Sequence, residues 1–278
     1  MGLRSALTTV ALVVAVAGTG YQPVAAQGLR VSTHVYDLNA QAATGQKSAV
    51  SGSLSIFHHG KVYDYVDAAD EIVVLDLTER RFTILNTARQ LRTSLDFDEM
   101  RHLLNSRGPA AEEYIADILK SRRPESKAVA ELLRFQMNPE FDQQYDGATG
   151  TLQLQAPTWK YEVTTTAEMD ADLVQHYLLY ADRMAQLNHL LHPGALFPEP
   201  RMALNAALRE LQRLPLTVRL DLRPTEPLHL RAEHRFTSGL QDDDLRRIAR
   251  WEAALDSDTL QTLSFRSYQQ TVLVASRK

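Results

Sequence analysis

Leu216-Thr217-Val218-Arg219-Leu220-Asp221-Leu222 and, five residues later, Leu228-His229-Leu230-Arg231-Ala232-Glu233-His234-Arg235-Phe236 are the stretch that decides the fold. Apolar and polar residues alternate through both segments. Successive side chains of a strand point to opposite faces, so this pattern gives each segment one buried and one wet face. The connection Arg223-Pro224-Thr225-Glu226-Pro227 is too short for a parallel crossover, which leaves an antiparallel hairpin. A one-residue slip would expose the whole apolar set, so the register is strongly specified. His234 falls on the apolar face, where a buried, hydrogen-bonded, neutral imidazole is expected.

Upstream, residues 29–93 read as further short strands: Leu29 to Leu38, Ser53 to Phe57, Lys61 to Val66, Glu71 to Leu77 and Phe82 to Leu85. Their short connections, one of them built on His58-His59-Gly60, call for an antiparallel meander. Helices follow. Asp96 and Glu99 have capping-box spacing before Met100, Leu103 and Leu104. Gly108-Pro109 is expected to stop that helix, with a second carrying Ile115, Ile118 and Leu119 and a third piece carrying Val129, Leu132 and Leu133. Strands return at Thr151 to Ala156 and Trp159 to Thr165. The longest helical signal runs from Ala171 to Leu191, with Leu173, Tyr177, Tyr180, Met184, Leu187 and Leu191 at spacings of three and four. A helix with Leu204, Leu208 and Leu211 precedes the hairpin. After it, Asp242-Asp243-Asp244 open a helix with a stripe of Leu245, Ile248, Trp251 and Leu255, and Leu263 to Val274 reads as a closing strand. The fold class is α+β, a largely antiparallel sheet packed against several helices.

The chain has 278 residues, a formal net charge of −4 and no cysteine. The missing thiols remove disulfides, a cysteine nucleophile and cysteine metal ligands at once. The mildly acidic balance argues against a nucleic-acid partner, which calls for a basic stripe. At the N-terminus Arg4 precedes an apolar run from Ala6 to Ala17, then Gly18, Gly20 and Pro23, then Val24-Ala25-Ala26. That order is the pattern of a cleavable signal peptide over residues 1–26. The run is too short for a membrane-spanning helix. Residues 27–278 are then expected to form a single α+β domain that is exported to the periplasm or beyond, without a transmembrane anchor.

Chemical motifs are sparse. His189 and His192, three apart, have a spacing compatible with metal ligation, but the end of a helix already explains them and no metal is assigned. His58 and His59 would point to opposite sides of a continuing strand. The 242–244 aspartates lack the Gly and closing Glu of a calcium loop, and Asp142, Asp146 and Gly147 read as a polar turn. No Gly-x-Ser-x-Gly elbow, Ser-x-x-Lys, phosphate loop or dinucleotide fingerprint is present. No catalytic residue and no cofactor are assigned, and the balance leans away from an enzyme. Tyr63 with Tyr65, and Trp159 with Tyr161, each share a strand face. These four are the candidate ligand-binding residues, placed to line an apolar cavity under a sheet; core packing is the plainer role of the same aromatics.

Phe57-His58-His59-Gly60-Lys61-Val62-Tyr63-Asp64, Glu71-Ile72-Val73-Val74-Leu75-Asp76, Arg201-Met202-Ala203-Leu204-Asn205 and Glu233-His234-Arg235-Phe236 resemble phrases in a family of uncharacterised exported proteins of planctomycete-type bacteria. That resemblance implies export and a shared fold, and no chemistry. The order of strands and interposed helices is also distantly similar to the LolA and LppX group of periplasmic lipoprotein and lipid carriers, which implies a half-barrel sheet wrapped over helices. Three functions stay open: an exported binding or carrier protein for a hydrophobic ligand such as a lipid, a structural or interaction protein with an envelope partner, and a hydrolase of unfamiliar type.

Overall fold

The computed structural model of the protein describes residues 28–45, 49–67, 69–121, 123–192, 194–223 and 227–275. The expected signal segment, 1–26, lies outside the described residues, as do Pro224, Thr225 and Glu226 of the hairpin connection.

A twelve-stranded sheet organises the chain. The first strand, β1 (Leu29–Asp37), lies in its interior. From it the chain works outward through β2 (Ala49–His58), β3 (Lys61–Val66), β4 (Glu71–Asp76), β5 (Arg81–Asn86) and β6 (Leu91–Asp96), every neighbour antiparallel. Two helices, α2 (Phe97–Lys120) and α3 (Ser126–Met137), then carry it to the opposite edge. From that edge it returns inward through β7 (Asp142–Asp146), β8 (Thr151–Gln155) and β9 (Trp159–Thr165). After α4 (Ala171–Leu191) and α5 (Glu199–Glu210), the hairpin of β10 (Pro215–Leu222) and β11 (Leu228–Ser238) closes against β1. The pairing β1–β11, Leu29 opposite Ser238 through Asp37 opposite Leu230, joins the two meanders into one sheet. The sheet stays open, with β7 at one edge and β12 (Gln261–Thr262) at the other. Both edges are defended: β7 is polar and exposed, and β12 is two residues long, paired in parallel to β6.

The turns explain the regularity of the first meander. His59 and Gly60 both have positive φ, 48° and 76°, as a two-residue primed hairpin turn requires. Strands β3 to β6 begin at residues 61, 71, 81 and 91, so strand and four-residue turn repeat every ten residues. Asp70, Arg80 and Gln90, each just before the next strand, adopt the left-handed conformation. Asp76 and Asn86 accept backbone N–H bonds from the turns that follow them.

Two layers of helix flank the sheet. The front face carries α2, α4, α5 and α7 (Phe265–Ala275), with Val31, Val73, Leu75, Phe82, Ile84, Val163 and Val218 in the shared core. The back face carries α6 (Asp242–Leu255), whose Ile248 and Trp251 cover Ile56, Tyr63, Ile72, Val74 and Leu85. Beyond α6, under β9 to β11, the back face is an ionic ladder: Arg219 and Asp221 lie opposite Glu162 and Lys160, and His229 is 2.6 Å from Asp221. Among the described residues no helix is long and apolar enough to cross a membrane.

Several expectations are corrected. Gly108-Pro109 does not end a helix: α2 runs through Pro109, which is exposed, so water can satisfy the Asn105 carbonyl that Pro109 leaves without an N–H. Asp96 sits at the N-cap of α2 without a side-chain cap bond, so its spacing to Glu99 forms no capping box. The segment Leu263 to Val274 is mostly helix rather than strand. Ser264 Oγ accepts the Ser267 N–H at 3.2 Å, a helix start that its β-branched residues obscure. Asp37 accepts from Asn39 and Ala40 N–H and starts a short helix, α1 (Leu38–Thr44), so the strand expected to reach Leu38 ends at Asp37. Asp142 and Asp146 are the two ends of strand β7, and the turn begins at Gly147, with Asp146 accepting the Ala148 N–H. Leu216 leaves the buried face at a register shift in β10, and Leu245 is exposed on α6.

Candidate functional site

The front face is solid over β4 to β6 and hollow over β1, β2, β9 and β11. There a cavity of about 470 Å³, partly open to solvent, lies between the sheet, α4, and the segment 195–198 that leads into α5. Side-chain size accounts for the gap. The sheet contributes Thr33, Ser53, Ser55 and Ala232, and α4 contributes Ala181 and Ala185, one turn apart on the facing side. Small residues oppose small residues, so the two layers meet at the rim and part in the middle. Tyr177, Tyr180 and Met184, on the same helix, hold the layers apart.

Trp159 and Tyr161 both line this cavity. Their rings lie 6.0 Å apart, with Trp159 against Phe135 and Tyr161 against Phe141. Tyr63 and Tyr65, the other candidate pair, lie on the opposite face of the sheet. Their rings stack on Trp251 of α6 at 6.4 and 6.1 Å, the Tyr63 hydroxyl donates to Glu252 at 2.5 Å, and the Tyr65 hydroxyl donates to Asp70. They are part of the back core, not of the cavity wall. Alternation had shown that the two tyrosines share a face, and β3 carries apolar residues on both.

Three polar groups enter the cavity wall. First, the Tyr180 hydroxyl donates to Ser55 Oγ (2.8 Å), which donates to Asp64 Oδ1 (2.6 Å) behind it. Burial pushes the Asp64 carboxyl up, and its bonds from Ser55 and Tyr180 pull in the other direction. Burial and the Asp64 charge likewise hold Tyr180 neutral. This is a satisfied network that fixes the wall, with no histidine in it to make Ser55 a nucleophile.

Second, His234 lies against Thr33, its Nδ1 2.9 Å from Thr33 Oγ1, while Nε2 has no partner among the described residues. Burial, with help from the Arg201 charge, pushes its pKa down to about 3. The neutral histidine expected at this position is therefore present, and it forms part of a cavity wall instead of a filled core.

Third is Arg201, on the first turn of α5. Its Nε donates to Asn205 Oδ1 at 3.2 Å, Asn205 Nδ2 donates to Asp182 Oδ1 of α4 at 2.7 Å, and Arg209 pairs with Asp182. Asp182 thus fixes the fully buried Asn205, and Asn205 fixes the guanidinium. Among the described residues Arg201 has no carboxylate partner. Burial pushes Tyr161 and Tyr177 up to about 12, with the Arg201 charge acting against that rise in both. The sequence phrase Arg201-Met202-Ala203-Leu204-Asn205 held the signal for this group, since residues four apart meet on one helix face.

None of the remaining histidines lines this cavity, and His58, His59 and His176 border a separate pocket. His58 and His59 lie side by side at the β2–β3 turn, ring centroids 3.9 Å apart, because the turn ends the strand that would have separated them. His189 is buried against Phe197, which lowers its pKa, and His192 ends α4. Among the described residues no three His, Asp or Glu side chains gather as metal ligands would. The cavity is thus an apolar chamber with one fixed cation, one neutral imidazole and several phenols. Comparison with models of known protein families finds no match, and comparison with curated proteins finds none either.

Proposed function

We propose that this protein is an exported binding or carrier protein that holds a hydrophobic ligand of the acyl-chain type between sheet and α4. The observation that carries the reading is the cavity itself. A packed protein interior leaves few voids larger than a water molecule, whereas small-molecule sites run to about 300–1,000 Å³ and are mostly apolar. The space under α4 is about 470 Å³, and its lining is mainly Val31, Val35, Trp159, Tyr161, Met184, Leu196 and Phe197 with a few polar groups. Export belongs to the same reading and rests on the pattern of residues 1–26.

Native mass spectrometry of the protein purified from the cells that make it tests this directly, repeated after denaturation. A small-molecule mass that disappears on denaturation is expected. An apo mass, together with no binding of added long-chain amphiphiles, would reject the carrier reading in favour of a structural or interaction protein.

A further inference from the structure

We infer that the ligand is a single-chain carboxylate amphiphile, and that Arg201 is the residue that fixes its head group. The inference rests on the carrier reading above and adds to it the number of chains, the sign of the charge and the recognising residue.

Capacity limits the ligand first. At ~30 Å³ for a group the size of a water molecule, the chamber of about 470 Å³ takes roughly fifteen methylenes. That is one acyl chain, and a diacyl or triacyl lipid would leave about half or more of its apolar surface outside.

Charge limits it next. Arg201 is the one cationic side chain among the residues lining the cavity, since burial keeps His234 neutral. A half-buried guanidinium without a counter-ion is costly, and the fork of an arginine matches a carboxylate with two parallel N–H bonds. Asn205 occupies Nε, which leaves both Nη groups for a ligand. One cation balances one negative charge, as on a carboxylate; a dianionic phosphate monoester would bury an excess charge. The unpartnered His234 Nε2 adds a second polar contact in the same wall.

Anchoring is prearranged. The chain Arg209–Asp182–Asn205–Arg201 ties the guanidinium to both α4 and α5, so little side-chain freedom is lost on binding.

Isothermal titration of the full chain with myristate, with tetradecanol and with dodecyl phosphate tests the assignment, on the wild type and on Arg201→Gln and Arg201→Lys. The wild type is expected to bind myristate about 10- to 100-fold more tightly than the alcohol. Arg201→Gln should remove that preference and leave the alcohol within about twofold, while Arg201→Lys, which keeps charge without the fork, restores part of it. Equal binding of acid and alcohol by the wild type, or an equal loss of both in Arg201→Gln, would overturn the role of Arg201. Preference for dodecyl phosphate would overturn the carboxylate. Failure of all three probes to bind the wild type rejects the carrier reading itself, a result distinct from the others.

Discussion

Two pairs of aromatic residues, alike in sequence, meet opposite fates on the two faces of the sheet. Tyr63 and Tyr65 on the back stack on Trp251 of the covering helix, while Trp159 and Tyr161 on the front border a chamber. The partner helix makes the difference. Helix α6 lays a bulky residue, Trp251, directly on its strands. Helix α4 offers Ala181 and Ala185 beyond its two tyrosines, and the strands below answer with Ser53, Ser55, Thr33 and Ala232. A cavity here is the product of small residues on both facing surfaces, framed by large ones. The back face is built for stability and the front for occupancy.

The comparison breaks most visibly at Trp251. Truncating it, Trp251→Ala, is expected to cost about 3–5 kcal/mol in urea denaturation, as for a large side chain lost from a filled core. The cavity on the other face should keep its ligand affinity in whatever fraction remains folded. Enlargement gives the converse contrast. Val74→Phe on the back should cost about 1–3 kcal/mol by overpacking, whereas Ala185→Leu on the front should change stability by less than about 1 kcal/mol and abolish binding. Similar costs for both enlargements would mean that the chamber is not open to a side chain.

Protons sharpen the contrast further. His234 has a folded pKa of about 3 against an ordinary 6.5, so between those values the unfolded chain binds a proton that the folded chain refuses. Its contribution is complete above 6.5 and is lost as pH falls, at up to about 1.4 kcal/mol per pH unit. Asp64 works in the other direction: its raised pKa gives stability that is full below 3.8 and is lost as pH rises through the folded value. His234→Leu should flatten the acid limb and Asp64→Asn the rise-side loss, both read as stability against pH relative to the wild type. The smallest effect is expected at Asp244, which is buried, closes a capping box with Gln241 and pairs with Arg30 at 3.2 Å. Asp244→Ala should cost about 1 kcal/mol by loosening the start of α6, with ligand affinity unchanged.

The sheet was legible because its signal is local. Period-two alternation at β10 and β11 and short turns at β2 to β5 need no knowledge of distant residues, and the Ala171–Leu191 helix matches its apolar spacing from end to end; β6, which follows in the same ten-residue rhythm, was not read from the sequence. Helix limits were less legible where one residue carries two meanings. Pro109 signals a helix end but is tolerated inside α2, where it is exposed and water can take the freed carbonyl, and the Thr271-Val272-Leu273-Val274 run reads as strand until Ser264 is recognised as a cap. The site was half legible for a different reason. Trp159 and Tyr161 declared an aromatic face, but the chamber exists only where β1, β9, β11, α4 and α5 meet, and sequence periodicity carries no information about which face of a sheet a helix will leave open. Arg201 was visible only as part of a phrase; its lack of a carboxylate partner among the described residues appears once Asp182 is seen engaged by Asn205 and Arg209.

The chain's two tryptophans report on the two faces separately. Titration of a brominated long-chain fatty acid into Trp251→Phe, which keeps Trp159 at the cavity, and into Trp159→Phe, which keeps Trp251 under α6, tests the central claim most directly. Saturable quenching of Trp159 fluorescence with Trp251 unaffected is the predicted result. Quenching of Trp251 alone, or equal loss from both, would place the acyl chain elsewhere and contradict the account.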